Sequence, residues 1–151
     1  MRFYTPKMNP KLNQLYQDVI LKHNDNPIHF EKQPAAQFVI EAYNPLCGDK
    51  FKVFLNVEDQ LVTNVTFHGY GCAISKASTS VLVKKIQNQP LNDALETIEN
   101  FFKIIKNDNF TEGVSDEEME AFGGVREFSG RIKCATLGWE AVEDFLKEYA
   151  K

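Results

Sequence analysis

The stretch Phe51-Lys52-Val53-Phe54-Leu55-Asn56-Val57-Glu58-Asp59-Gln60-Leu61-Val62-Thr63-Asn64-Val65-Thr66-Phe67-His68-Gly69-Tyr70-Gly71-Cys72 decides the fold. Phe51, Val53, Leu55 and Val57 alternate with Lys52, Phe54 and Asn56. Leu61, Thr63, Val65 and Phe67 then alternate with Val62, Asn64 and Thr66. A period of two marks strands, and Glu58-Asp59-Gln60 is short enough to join the two runs as a hairpin. Upstream, Phe38, Ile40 and Ala42 alternate with Val39, Glu41 and Tyr43 and supply another strand. The pattern predicts a three-stranded antiparallel meander. At Gly69-Tyr70-Gly71-Cys72 strand gives way to helix.

Beyond Cys72 the apolar period becomes helical. Ile74, Ala77, Val81, Leu82 and Ile86 mark one helix, and Leu91, Leu95, Ile98, Phe101, Phe102 and Ile105 mark another. Residues 107 to 130 are acidic and glycine-bearing, with room for a short helix. Ser129 is placed to cap a last helix, whose inner face carries Ala135, Trp139, Val142, Phe145, Leu146 and Tyr149. At the other end, Asn9-Pro10 reads as a cap followed by a first-turn proline. Leu12, Leu15, Tyr16, Val19 and Ile20 form the apolar face of the helix it opens. Asn24 through Pro34 is polar and holds two prolines, the composition of a loop. The expected architecture is α+β, a three-stranded antiparallel sheet packed by helices, in one domain over residues 1–151.

Composition narrows the function classes. The 151 residues are 43% hydrophobic and 25% charged, with a net charge of −4 and no basic run. That argues against nucleic acid as a partner. No apolar stretch reaches the length of a membrane span, and Met1-Arg2-Phe3-Tyr4-Thr5-Pro6 has no hydrophobic signal region. The expected location is the cytoplasm. An odd number of thiols in a reducing compartment favours metal or catalytic use over disulfides.

The three cysteines carry the chemistry. Cys47 lies in the loop between the first two strands, Cys72 at the strand-to-helix junction, and Cys134 in the opening turns of the last helix. Three thiols with the carboxylate of Asp49 match the four ligands of tetrahedral zinc. The cysteines are too far apart in sequence for a zinc finger or a redox pair, so the fold must gather them. Helix N-termini help form thiolates, and Gly48, Gly69 and Gly71 permit close backbone approach. Such a ligand set is rich in negative charge, and Lys50, Arg131 and Lys133 are candidates to balance it. Cys47, in a flexible glycine-flanked loop, is the ligand best able to move. Plainer readings stand beside these. A lone cysteine is often a small buried hydrophobe, and Asp49 also suits a turn after glycine. His68 is four residues from Cys72, but strand alternation turns it away. His23 and His29 read as surface residues, and Arg131 and Lys133 as solvated charges.

The motifs Asn44-Pro45-Leu46-Cys47-Gly48-Asp49-Lys50, Gly69-Tyr70-Gly71-Cys72-Ala73-Ile74-Ser75-Lys76-Ala77-Ser78 and Gly130-Arg131-Ile132-Lys133-Cys134-Ala135-Thr136-Leu137-Gly138-Trp139 together resemble the U-type iron–sulfur assembly proteins of IscU/NifU-like fold, most closely the SufU branch. The likeness runs from about Leu12 into the last helix. IscU-type scaffolds carry a histidine directly before the third cysteine, where this chain has Lys133. Residues 107 to 130 look like the insertion of the SufU branch. The resemblance implies zinc held by Cys47, Asp49, Cys72 and Cys134. It implies a SufS-type cysteine desulfurase, a pyridoxal phosphate enzyme, as partner, with iron–sulfur assembly proteins downstream. In that family a desulfurase histidine takes a zinc position on docking and frees the first cysteine. Cys47 is then the persulfide acceptor, with Arg131 and Lys133 as docking contacts. The alternative is a scaffold that assembles a [2Fe–2S] cluster on the same ligands.

Overall fold

The computed structural model describes residues 10–106 and 116–151. Asn9, the side chain of Leu12 and residues 107–115 of the expected insertion lie outside the described part. Helix α1 (Pro10–Asp25) comes first, then strands β1 (Phe38–Asn44), β2 (Asp49–Glu58) and β3 (Leu61–Tyr70). Helix α2 (Ala73–Ile86), strand β4 (Gln89–Pro90) and helix α3 (Leu91–Lys106) follow. Helix α4 (Glu117–Ala121), two short 3₁₀ turns and helix α5 (Ile132–Tyr149) complete the chain.

The architecture is α+β, but the sheet has four antiparallel strands in the order β1-β2-β3-β4, not three. The added strand is two residues long and pairs Gln89 and Pro90 with Val62 and Leu61. It exists because Asn88, at φ 62°, turns the chain after α2 back onto the edge of β3. Its amide donates to the Val62 carbonyl at 2.7 Å. The hairpin expected at Glu58-Asp59-Gln60 closes through Asp59 and Gln60, at φ 51° and 66°. Two central residues with positive φ make a turn whose twist matches that of the strands.

The alternation expected along β3 is interrupted. Register runs Phe54 opposite Thr66 but Asn56 opposite Thr63, so β3 carries one extra residue there. Asn64, at φ 49°, takes up the bulge. A bulge of one residue reverses which side chains face inward. Val62 is therefore fully buried and Leu61 is exposed, while Val65 and Phe67 stay inside.

One face of the sheet is covered by helices. Its inward residues Ile40, Phe51, Val53, Leu55, Val65 and Phe67 join a core with α2, α3 and α5. Helix α2 is enclosed, and even Ser75, Ser78, Thr79 and Ser80 are buried. These small polar side chains let the neighbouring helices come close and are satisfied locally. Ser78 donates to the Ala135 carbonyl and accepts from the Trp139 indole N–H at 2.8 Å. Trp139 also stacks on Phe101 with centroids 3.8 Å apart. On the inner face expected for α5, Ala135, Trp139, Val142 and Leu146 are buried, Phe145 is half-buried and Tyr149 is exposed. Ser129 does not cap this helix. Arg131 N–H closes on the Phe128 carbonyl at 2.7 Å, so Ser129 starts a 3₁₀ turn and α5 begins at Ile132 without a side-chain cap.

His23 is buried completely, not at the surface, whereas His29 is exposed as expected. The hydrogen-bond inventory fits a neutral ring. Ser80 accepts from the Ile28 N–H at 2.8 Å, so its own O–H is free for His23 Nδ1 at 2.7 Å. The N–H at Nε2 then donates to Glu118. Burial lowers the pKa of His23 despite the pull of Glu118. Glu118 also receives Lys84 at 2.6 Å and Lys85 at 3.2 Å. Asp116 caps α4 and pairs with Lys85 at 2.9 Å. This polar cluster fastens α4 to α1 and α2. Burial alone would raise the Glu118 carboxyl, but Lys84, His23 and Lys85 bring it down from 4.5 to about 2.

A carboxyl depressed on folding stabilises fully above its unfolded pKa and loses that contribution as pH falls toward the folded value. The difference corresponds to about 3 kcal/mol. Glu118→Gln should therefore cost about 2 kcal/mol at pH 6 by urea unfolding. The deficit should shrink steadily toward pH 3. Parallel pH curves for the two proteins would contradict the assignment.

Candidate metal centre

The first cysteine sits in a tight turn, tighter than the loop expected from sequence. Asn44 pairs with Asp49 across β1 and β2, leaving four residues to connect them. Gly48 N–H bonds the Asn44 carbonyl at 2.8 Å, and Leu46 N–H bonds the Asn44 side chain at 3.1 Å. Gly48 holds φ 76°, a left-handed value that glycine adopts most readily. The turn holds Cys47 and Leu46 out into solvent, with Leu46 95% exposed.

Asp49 opens β2 and is 2% exposed. Its Oδ1 accepts the Cys72 N–H at 2.9 Å, and its Oδ2 accepts the Ser75 hydroxyl at 2.6 Å and the Cys47 thiol at 3.0 Å. Burial would raise this carboxyl, but donation from Ser75, Cys47, the Cys72 amide and Cys134 holds it below the ordinary carboxylate range. Gly71 makes the arrangement possible, since a Cβ there would lie 2.7 Å from Asp49 Oδ1.

Cys72 is the N-cap of α2, with its Sγ accepting from Ser75 N–H at 3.4 Å and lying 3.9 Å from Asp49 Oδ2. Cys134 is half-buried in the first turn of α5, held against α2 through the Ser78 bridge. The ligand atoms of Cys47, Asp49 and Cys134 all lie within 4.8 Å of one another. Burial and the neighbouring Cys72, Asp49 and Cys47 push the Cys134 thiol up to about 12. Soft sulfur donors around a buried ionised carboxylate, each opposing the next one's ionisation, are the donor chemistry of a cation site. Cys47, Asp49 and Cys134 could hold a metal ion on that ground, while Cys72 lies outside that group of three, with its Sγ 3.9 Å from Asp49 Oδ2.

The other sequence candidates lie as follows. His68 is outside the Cys47, Asp49 and Cys134 group and stacks on Phe30 at 4.8 Å on the opposite face of the sheet. Lys50 pairs with Glu41 at 3.4 Å, and Lys133, exposed, pairs with Glu140. Arg131 is exposed at the start of α5 and acts electrostatically on Tyr16. Sequence reasoning passed over two neighbours of the site. Ser75 was legible, because a serine three residues after a helix-capping Cys72 faces the same end of the helix. Tyr16 carries only a core signal in the sequence, on the apolar face of α1. Its buried hydroxyl has no hydrogen-bond partner among the described residues. Burial raises its phenol, Arg131 lowers it, and Cys72 and Cys134 raise it further.

Residues 15–151 match the family model for the NifU-like N-terminal domain. The chain is 33% identical over 135 residues to the zinc-dependent sulfurtransferase SufU of Bacillus subtilis, covering 89% of this chain and 91% of the relative. It is 29% identical over 140 residues to the iron–sulfur cluster assembly scaffold protein IscU of Streptococcus pyogenes, covering 93% and 87%. Among solved structures, FiSufU of Fervidobacterium islandicum AW-1 superimposes with a TM-score of 0.79 at 28% identity, covering 89% of this chain and 98% of that one. The described residues contain no helix long and apolar enough to cross a membrane. With the fold shared and the family match running from α1 to the C-terminus, the chain belongs to the NifU-like N-terminal domain family, alongside the SufU and IscU proteins.

Proposed function

We propose that this chain is a zinc-dependent sulfurtransferase of iron–sulfur cluster biogenesis. It forms one domain that accepts persulfide sulfur from a SufS-type cysteine desulfurase and passes it toward cluster assembly. The observation that carries the reading is the convergence of Cys47, Asp49 and Cys134 within 4.8 Å, with Cys72 beside the same carboxylate. The set offers four donors without a nitrogen ligand, because the residue before Cys134 is Lys133, engaged with Glu140. Four protein ligands fill a zinc coordination sphere. Zinc bound there would supply the charge that holds the thiols as thiolates. The cytoplasm, where free thiols stay reduced, is the matching compartment.

The chain's residues divide the work. Asp49, Cys72 and Cys134 belong to rigid elements and stay in place. Cys47 stands on an exposed turn that no helix cap holds, whereas Cys72, also exposed, is tied to α2 as its N-cap, so Cys47 is the thiol freer to reach a partner. Its thiolate attacks the outer sulfur of the desulfurase cysteine persulfide. The sulfur–sulfur bond of that persulfide breaks, and its electron pair leaves on the donor cysteine as thiolate. Cys47 is left as the persulfide, with no net oxidation or reduction. Arg131 and Lys133, both exposed beside the site, serve as docking cations.

Cys47→Ala should abolish persulfide uptake, read by mass spectrometry after incubation with the desulfurase, cysteine and pyridoxal phosphate. Uptake at the normal rate by the variant would overturn the role of Cys47. Ser75→Ala removes a donor to Asp49 and should weaken zinc binding about tenfold or more in chelator competition, with the fold unchanged by circular dichroism. The IscU relatives and the shared donor set favour a second reading, a [2Fe–2S] scaffold. A stable, transferable cluster after reconstitution with iron and sulfide would bring that reading forward.

A further inference from the structure

The outer face of the sheet, opposite the helices, holds a concave pocket of about 350 Å³ lined by Lys32, Lys50, Lys52, Phe54, His68 and Tyr70. Register explains how it forms. Tyr43, Lys50 and Tyr70 stand in one row across β1, β2 and β3, directly beside the Asn44–Asp49 pair. Glu41, Lys52 and His68 make the next row. The segment before β1 supplies the remaining wall. His29 accepts the Phe67 N–H on its carbonyl at 3.0 Å, Phe30 stacks on His68, and Lys32 follows.

The charge here opposes that of the whole chain. A protein of net charge −4 gathers three lysines and a histidine around one depression. Glu41 pairs with Lys50 at 3.4 Å, but neither Lys32 nor Lys52 has a carboxylate within 4.0 Å among the described residues. Uncompensated cations in a concavity attract an anionic ligand. Toward the β1–β2 turn the row carries exposed Tyr70 at 65% and Tyr43 at 54%, and the turn itself carries Leu46 at 95%. Aromatic residues without a cover, bordered by charge, have the composition of a protein interface. Leu46 adjoins Cys47 in the turn after β1, and Lys50 and Tyr70 of the pocket stand in the row next to the Asn44–Asp49 pair, so the pocket neighbours the end of the sheet that carries Cys47.

We infer that this pocket docks an acidic segment of the sulfur-donating partner, whose carboxylates sit among Lys32, Lys52 and His68 while Tyr43, Tyr70 and Leu46 pack against its apolar flank. The inference rests on the sulfurtransferase reading and names a contact distinct from the zinc ligands, Arg131 and Lys133. Complementary charge of this kind sets affinity through encounter rate and is weakened by salt.

The test is to titrate the desulfurase with this chain and follow sulfide release from cysteine in the presence of a thiol reductant, at low and high salt. The Lys32→Glu/Lys52→Glu protein should need about tenfold more chain for half-maximal stimulation and reach the same maximum. The gap should narrow at high salt. Lys32→Gln/Lys52→Gln should fall between the two. Zinc content and thermal midpoint should match the parent, since both lysines are exposed. Unchanged half-saturation in the charge-reversed protein, with the parent active, would overturn the docking pocket alone. A parent that neither binds nor stimulates the desulfurase would overturn the sulfurtransferase reading and the pocket's assignment with it.

Discussion

The carboxylate of Asp49 ties together pieces of chain that sequence keeps apart. Its acceptors take the Cys72 amide, the Ser75 hydroxyl and the Cys47 thiol, so the first residue of β2 fixes both the start of α2 and the turn between β1 and β2. An ionised carboxylate buried to this degree is costly unless fully hydrogen-bonded. Here the bonds are numerous enough that it remains ionised more readily than a free aspartate. Loss of any donor would therefore be felt by all three cysteines. The close approach at Gly71 belongs to the same constraint, because any side chain there would occupy the space of the carboxylate.

The third cysteine is held by a different device. Ser78 binds the Ala135 carbonyl and the Trp139 indole, so the enclosed helix α2 fixes the register of α5 one residue from Cys134. Gly138 lets the two helices close, since a Cβ at that position would lie 3.0 Å from Thr79 Oγ1. Helix α5 thus carries half-buried Cys134, the N-cap of α2 holds exposed Cys72, and Cys47 stands on the exposed turn. The proposed sulfur transfer would use the difference between ligands fixed to helices and one on a turn.

Much of this was legible in the sequence because it depends on local pattern. Period-two alternation located β1, β2 and β3, and helical spacing located α2, α3 and α5. The glycine-flanked Cys72 marked the junction between strand and helix. What escaped depends on long-range partners or on single dihedrals. Strand β4 is too short to show alternation and owes its pairing to Asn88 at positive φ. The bulge at Asn64 reversed the faces of β3, and adjacent polar Thr63 and Asn64 are its trace in the sequence. His23 sits four residues after Val19 on the stripe of α1, so its burial had a periodic signal. Its polar partners, Ser80 and Glu118, are distant in sequence. Ser129 has the chemistry of a cap, but the tight turn at Phe128 to Arg131 moved the helix start beyond it.

The central claim is that Cys47, Asp49, Cys72 and Cys134 hold a zinc ion for sulfur transfer. The most direct test is the metal and acid-labile sulfide content of the protein purified anaerobically from its natural host. The account predicts about one zinc per chain and no sulfide. Iron with matching sulfide would contradict it and make the chain a cluster scaffold.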